Sequence, residues 1–204
     1  MKIKLNKKYY SNDNTKGMYK KLNINLIPGI TTLIGCNGAG KSTVLKQIES
    51  TCKDKAIPHL YFNGIVNDGI SYNLSYGENT NLLLVNFIDK LYSFINRYKN
   101  TDKVVILLDS IDCGLSIDNI LELKQILNIL LQDIGTTETY IVCSCNTYEM
   151  CLDTNKFSVY DGNYIVIETY KDFREYVIKS RLKKEKRYNK EVNKLEAFFK
   201  SCLN

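Results

Sequence analysis

The 204-residue chain has one histidine, His59, and none of its seven cysteines forms a C-x-x-C pair. Those two shortages exclude the usual ligand sets of a structural zinc site. Long apolar runs are missing as well, and none approaches the length of a bilayer-spanning helix. Met1 to Asp13 is polar and charged, so no secretory leader is expected. No internal repeat, low-complexity tract or nuclease constellation is present. What remains is the composition of one globular domain, large enough to bury a core. The cysteines stand at 36, 52, 113, 143, 145, 151 and 202, one in a glycine-rich loop and one in an apolar strand. They read as reduced thiols of a cytoplasmic protein.

Charge is unevenly placed. The formal total is +6, and residues 171–204 hold 11 of the 28 basic and 5 of the 22 acidic residues. The rest of the chain is therefore balanced, and the excess belongs to one C-terminal segment.

The richest stretch is Ile30 to Ile48. A β-branched run, Ile30 to Ile34, predicts a buried strand, and Val44, Leu45 and Ile48 fall at helical spacing after it. Between them, Gly35 through Gly40, Lys41 and Ser42 fit G-x-x-x-x-G-K-[ST]. Glycines let successive backbone N–H groups point inward at phosphate oxygens. The helix starting near Lys41 aims its positive end at the same phosphates. Lys41 would add a point charge there, and the Ser42 hydroxyl would sit on Mg²⁺.

Elsewhere, Met1 to Tyr10 and the alternating Leu22, Ile24 and Leu26 predict two N-terminal strands, with Pro28-Gly29 turning into Ile30. His59 to Phe62 predicts another strand. A long helical pattern runs from Leu82 to Ile95 and a second helix from Ile117 to Leu131. Val104 to Leu108 and Thr139 to Cys145 are continuous apolar runs, as in a parallel sheet buried on both faces. Lys156 to Tyr170 predicts a hairpin around Asp161-Gly162-Asn163, and Asp172 onward a helix. Asp109, ending the Val104 run, is a carboxylate placed to hold Mg²⁺ beside the phosphate loop.

Four stretches together resemble the ATP-binding-cassette ATPase superfamily. Gly35 to Thr43, with Asn37, Gly38, Ala39 and Gly40, is similar to its phosphate loop. Leu74-Ser75-Tyr76-Gly77-Glu78 is similar to its signature turn, Leu107-Leu108-Asp109 to its Walker B strand, and Cys113-Gly114-Leu115-Ser116 to its D-loop. The resemblance covers roughly residues 1–170. It implies an α/β, P-loop NTPase fold with a mostly parallel central sheet, N-terminal antiparallel strands, a short helical signature subdomain and a basic C-terminal helix. It also implies a homodimer closed around two Mg·ATP, with Ser75, Gly77 and Glu78 of one chain facing the phosphate loop of the other. The gap from Ser42 to Leu74 has no room for a transporter's helical subdomain or a coiled-coil arm. The pattern is thus that of a minimal head of the DNA-repair or phage-defence type, without a membrane partner.

The departures bear on chemistry. Ser110 stands where the family carries the glutamate that polarises water, and a hydroxyl is a poor general base. Asp112 is the nearby carboxylate that could substitute. Asn146 stands where many members have a histidine on the terminal phosphate; it donates a hydrogen bond but carries no charge. No glutamine lies between Gln47 and Gln125, so the family's Q-loop residue is not identifiable. Tyr9, Tyr10 and Tyr19 are candidates to stack on a base or simply to pack as strand residues.

Three functions stay open: an ATP-driven dimerisation switch with slow hydrolysis, an active nucleic-acid-associated ATPase, and a non-enzymatic subunit working with an effector protein. Residues 171–204, as a basic C-terminal helical extension expected to pack on the domain or a partner through an apolar stripe at Tyr188, Val192, Leu195 and Phe199, read either as a nucleic-acid contact or as a solvated face with close-spaced charge pairs such as Glu185 with Lys190.

Overall fold

The computed structural model describes residues 1–5, 23–64, 76–134 and 137–202; for 76–81, 83, 187, 191–192 and 194–202 only the backbone is described. Ser75, Tyr9, Tyr10 and Tyr19 lie outside the described residues, and Gly77 and Glu78 fall in a first helical turn whose side chains are not described.

Two short strands, β1 (Lys2–Lys4) and β2 (Asn23–Asn25), form the antiparallel pair at the N-terminus, with Ile3 opposite Ile24. The main sheet uses β3 (Gly29–Ile34), β4 (His59–Asn63), β5 (Lys103–Asp109), β6 (Glu138–Ser144), β7 (Asn155–Ser158) and β8 (Asn163–Tyr164). Their spatial order is β4-β5-β6-β3-β7-β8, parallel throughout except for the last pair. The expected hairpin is therefore β7–β8, with only a two-residue second strand.

Strand periodicity divides the core into two layers. Ile34, Ile106, Leu108, Ile141 and Cys143 face one side; Leu33, Val105, Leu107, Tyr140 and Val142 face the other. Alternate residues of a strand point to opposite faces, so a strand apolar at every position must be covered twice. On the first side lie α2 (Tyr76–Tyr98), through Phe87, Leu91 and Ile95, and α3 (Ile117–Asp133), through Ile120, Leu123 and Leu127. On the second lies α1 (Lys41–Asp54), through Val44, Leu45, Ile48 and Cys52, joined by Ile3 and Ile24 of the small sheet. Each fully buried side chain of this size contributes about 1.5–3 kcal/mol. A four-residue helix, α4 (Tyr148–Cys151), follows β6.

The last helix, α5 (Tyr170–Cys202), opens with a capping box. Thr169 N and Oγ1 donate to Asp172 Oδ2 at 2.9 and 2.8 Å, and Asp172 N donates back to Thr169 Oγ1 at 3.2 Å. Phe173 anchors its first turn in the core. Among the described residues no helix is long and apolar enough to cross a membrane.

Parallel pairing brings the C-terminal ends of five strands to one edge. Leu33 pairs with Ser144, Ile34 with Ser158, Leu108 with Cys143 and Asn63 with Asp109. In open α/β sheets ligands bind at that edge, where the strand order reverses. Here the chain leaves β3 for the far edge strand β4, works back to β6, and then crosses to β7 on the other side of β3.

Candidate phosphate and metal site

Residues 35–40 join β3 to α1 as a tight turn, with the Ala39 amide donating to Cys36 O at 3.0 Å. Gly38 (φ +71°) and Gly40 (φ +97°) take left-handed conformations that favour glycine. A side chain at Gly35 would put its Cβ 2.9 Å from the Ala39 Cβ, so the curl also needs a bare Cα there. Gly40 is the N-cap of α1 and brings no side-chain acceptor to the helix start. A helix N-terminus without such a cap presents its amides and its positive dipole end to an anion.

Lys41 is mostly buried, and its Nζ donates to Gly35 O at 2.8 Å, curling over the loop. Burial lowers its pKa from the ordinary lysine value, partly offset by the anionic forms of nearby groups, among them Asp112 and Asp109. The ammonium lies in a place where a bound anion would favour its charged form.

Asp109, buried at the end of β5, is the centre of a hydroxyl cluster. Its Oδ1 accepts from Ser42 Oγ at 3.0 Å and Ser144 Oγ at 2.7 Å, and its Oδ2 from Tyr61 OH at 2.9 Å. Ser144 Oγ in turn accepts from the Ser110 amide at 2.7 Å. The Asp109 strand and the phosphate-loop strand are not neighbours; β6 lies between them, and Ser144 bridges the gap. This donor set is all oxygen, which suits a hard divalent cation such as Mg²⁺. Ser42 and Asp109 are the residues that would hold it.

The other expected residues fall as follows. Asn37, Gly38 and Ser42 are exposed, Ala39 is buried, and Thr43 is half-buried in the first turn of α1. Ser110 is left-handed (φ +53°), its hydroxyl 3.4 Å from Asp109 Oδ1. Asp112, within electrostatic reach of Lys41, binds the segment after β6. Its Oδ2 accepts from the amides of Asn146 and Thr147 at 2.7 and 2.8 Å and from Thr147 Oγ1 at 3.0 Å. Its Oδ1 accepts from Asn146 Nδ2 at 3.2 Å. Asn146 Nδ2 also approaches Cys113 Sγ, at 3.4 Å. Asp112 and Asn146 thus meet each other, while Ser42, Asp109 and Ser110 meet at the loop.

One wall of the site comes from α5, and no apolar pattern in the sequence marks the phosphate loop as its contact. Ser180 is buried, accepts from the Cys36 amide at 2.9 Å and donates to Val177 O at 2.8 Å. Lys184 Nζ donates to Asn37 O at 2.9 Å. Beside them Tyr176 OH meets Ser158 Oγ, and Lys183 pairs with Asp161 at 3.0 Å. That lysine and the Ser158 and Tyr176 hydroxyls hold Asp161 below the usual carboxylate range despite its partial desolvation. A cavity of about 500 Å³ lies beside these contacts, with Cys36, Asn37 and Asn146 on one side and Val177, Arg181, Lys184 and Glu185 on the other. Tyr61, Ser144, Ser180 and Lys184 are the site residues that motif reading missed. Only Ser144 carried a signal, as a lone hydroxyl near the end of an apolar strand.

No protein-family model matches the chain, and no curated protein matches it. Solved structures do. A replication initiator DnaA bound to AMPPCP and single-stranded DNA matches at 20% identity and TM-score 0.38, over 78% of this chain and 47% of its own. The HORMA:CdnC:Trip13 complex of E. coli MS115-1 matches at 14% identity and TM-score 0.43, over 86% and 59%. Cdc6p from Pyrobaculum aerophilum matches at 16% and 0.36, over 61% and 34%. The chain spans about half the length, or less, of the first structures it resembles. Its own parallel sheet, with a glycine-rich loop feeding a helix N-terminus and an aspartate two strands away, has the P-loop NTPase fold.

Proposed function

We propose that this chain is an ATP-dependent switch of the ATP-binding-cassette type, cytoplasmic, closing as a homodimer around two Mg·ATP and hydrolysing slowly. The observation that carries the reading is the assembled site. A lysine sits on the phosphate loop's own carbonyl, and Ser42 and Asp109 meet at 3.0 Å beside an uncapped helix start. The α1 amides and Lys41 would hold the phosphates. Ser42 and Asp109 would hold Mg²⁺, which when bound neutralises charge on the transferring phosphoryl group.

Slow turnover follows from what surrounds Asp109. The residue after it is Ser110, whose hydroxyl is a poor base. Asp112 spends both oxygens on Asn146 and Thr147, so in this reading it is an anchor and water is positioned weakly or by a partner's residue. The dimer rests on the likeness of residues 74–78 to a signature turn. Gly77 and Glu78 stand in the first turn of α2, where a second helix N-terminus would meet the phosphates of the facing chain.

The test is calorimetric titration with Mg·ATP followed by sizing chromatography, with Lys41→Ala as control. Micromolar binding and an ATP-dependent shift to twice the mass are expected. Binding without the shift would remove the dimer switch. No binding at all would favour a non-enzymatic subunit of a complex with an effector protein.

A second reading, a nucleic-acid-associated ATPase, is favoured by one observation. Lys179, Lys183, Lys186 and Lys190 are exposed on α5 at spacings of four, three and four, which is one helical face. Nucleic acid would stimulate turnover, and affinity would fall steeply with salt. Turnover indifferent to DNA and RNA would remove this reading.

A further inference from the structure

We infer that Lys184, carried by α5 of the same chain, is a ligand of the terminal phosphate of the bound triphosphate. The inference rests on the nucleotide reading above and assigns that site a second cation besides Lys41.

Four observations converge on Lys184. Its Nζ lies 2.9 Å from Asn37 O and 2.6 Å from where a Cβ on Gly38 would stand. The ammonium therefore touches the rim of the phosphate loop, beside a Gly38 that its left-handed φ of +71° favours as glycine. Second, Lys184 ends a stripe, Phe173, Val177, Ser180 and Lys184, spaced four, three and four, that faces the body of the protein. A cation on an inward stripe needs a partner. Third, three nearby cations on α5 are matched to carboxylates: Lys183 to Asp161, Arg181 to Glu185, Lys179 to Glu175. Among the described contacts Lys184 has only a neutral carbonyl, which a phosphate oxygen outcompetes because the bond becomes charge-assisted on both sides. Fourth, the helix is seated rather than hovering. Ser180 takes the Cys36 amide and Lys183 takes Asp161, so Lys184 is held in place before any ligand arrives.

Lys184 and Asn146 line the same 500 Å³ space, and Asn146 leaves the end of β6, the strand between the phosphate loop and Asp109. Ser42 and Asp109 would hold the Mg²⁺ that neutralises charge on the outer phosphates, and Lys184 would add its charge from the α5 side of the same loop. A cation there separates triphosphate from diphosphate; one on the inner phosphates would not. Exchange of Asn37 O for phosphate also ties α5, and the basic face beyond it, to the nucleotide state.

The experiment titrates the full chain with a non-hydrolysable ATP analogue and with ADP, both with Mg²⁺. Lys184→Met keeps the aliphatic stem and its packing, Lys184→Arg keeps the charge, and Lys171→Ala removes one exposed charge from the same helix. Thermal melts check the fold of each variant. Lys184→Met is expected to weaken triphosphate binding about tenfold or more and diphosphate binding less than about twofold. Lys184→Arg restores most of the loss, and Lys171→Ala changes neither ligand. Equal losses for both nucleotides, or no loss, overturn the inference while leaving the nucleotide site standing. Wild type that binds neither nucleotide overturns both.

Discussion

Ser42 and Asp109 are 67 residues apart in sequence, and the Ser42 hydroxyl donates to the Asp109 carboxylate at 3.0 Å. One belongs to the first turn of α1 and the other to the end of β5, two strands from the loop. Only a sheet already assembled in the order β5-β6-β3 brings them together. The contact is therefore a property of the fold and not of the loop alone.

If that pair is the metal seat, its substitution acts through magnesium. Asp109→Asn and Ser42→Ala should each lower nucleotide affinity by roughly 10- to 100-fold in magnesium. With EDTA present the variants and wild type should converge. A loss that persists undiminished in EDTA would mean these residues support the loop instead of an ion. The measurement is calorimetric affinity with and without Mg²⁺.

Lys41 gives the site a pH dependence whose sign follows from its surroundings. Burial lowers its pKa, so in the free protein it loses its proton at a lower pH than an ordinary lysine. A polyphosphate prefers the charged form. Affinity should therefore be full while Lys41 is protonated and begin to fall as pH rises through its lowered pKa. Binding in the falling window should take up a proton, seen as a buffer-dependent calorimetric heat. Lys41→Arg should flatten the fall, since a guanidinium stays charged.

Much of the fold could be read from the chain because each apolar run had one interpretation. Val104 to Leu108 is apolar at every position, which demands cover on both faces, and the two core layers are that cover. Strand order was another matter. Period-two patterns say that a strand exists but not which strand lies beside it, so the intervention of β6 between β3 and β5 was invisible. The docking of α5 was hidden for a different reason. The apolar spacing from Tyr188 to Phe199 marks another face of the helix, and Tyr188 is exposed. The stripe that faces the body ends in Ser180 and Lys184, which a hydropathy pattern counts as surface. Glu185 likewise pairs with Arg181 at 2.9 Å and not with Lys190. The side chains of Val192, Leu195 and Phe199 are outside the described residues.

Gly64 ends β4 against the turn after Asp109. Its amide donates to Asp109 O at 2.8 Å, and a Cβ there would stand 2.5 Å from Ser110 O and 3.0 Å from Ile111 Cα. Those are backbone atoms, and Ser110 is already left-handed, so neither can shift cheaply. Gly64→Ala should cost about 1–3 kcal/mol in urea unfolding. Because relief requires moving the Asp109–Ser110 peptide, it should also weaken magnesium-dependent binding. Unchanged stability would mean that the turn yields readily.

Asp112 separates an anchor from a base. Its two oxygens accept four hydrogen bonds, all from Asn146 and Thr147, and they tie the turn after β5 to the segment leaving β6. Asp112→Asn replaces one acceptor oxygen by a donor and removes the charge from the rest. Hydrogen bonds to a charged group are worth about 1.5–3 kcal/mol, so a stability loss of that order is expected from denaturant melts. Turnover per folded molecule should change little, since Oδ2 is held by three of these bonds and Oδ1 is turned to Asn146. A general base would behave in the opposite way: stability nearly kept, and turnover lower by roughly 100-fold or more. Ser110→Ala completes the comparison, because the Ser110 hydroxyl makes a long 3.4 Å approach to Asp109 and a contact with the Cys113 thiol. Its loss should leave both stability and turnover close to wild type. Measured side by side, the two variants assign the residual hydrolysis either to Asp112 or to a group outside this turn.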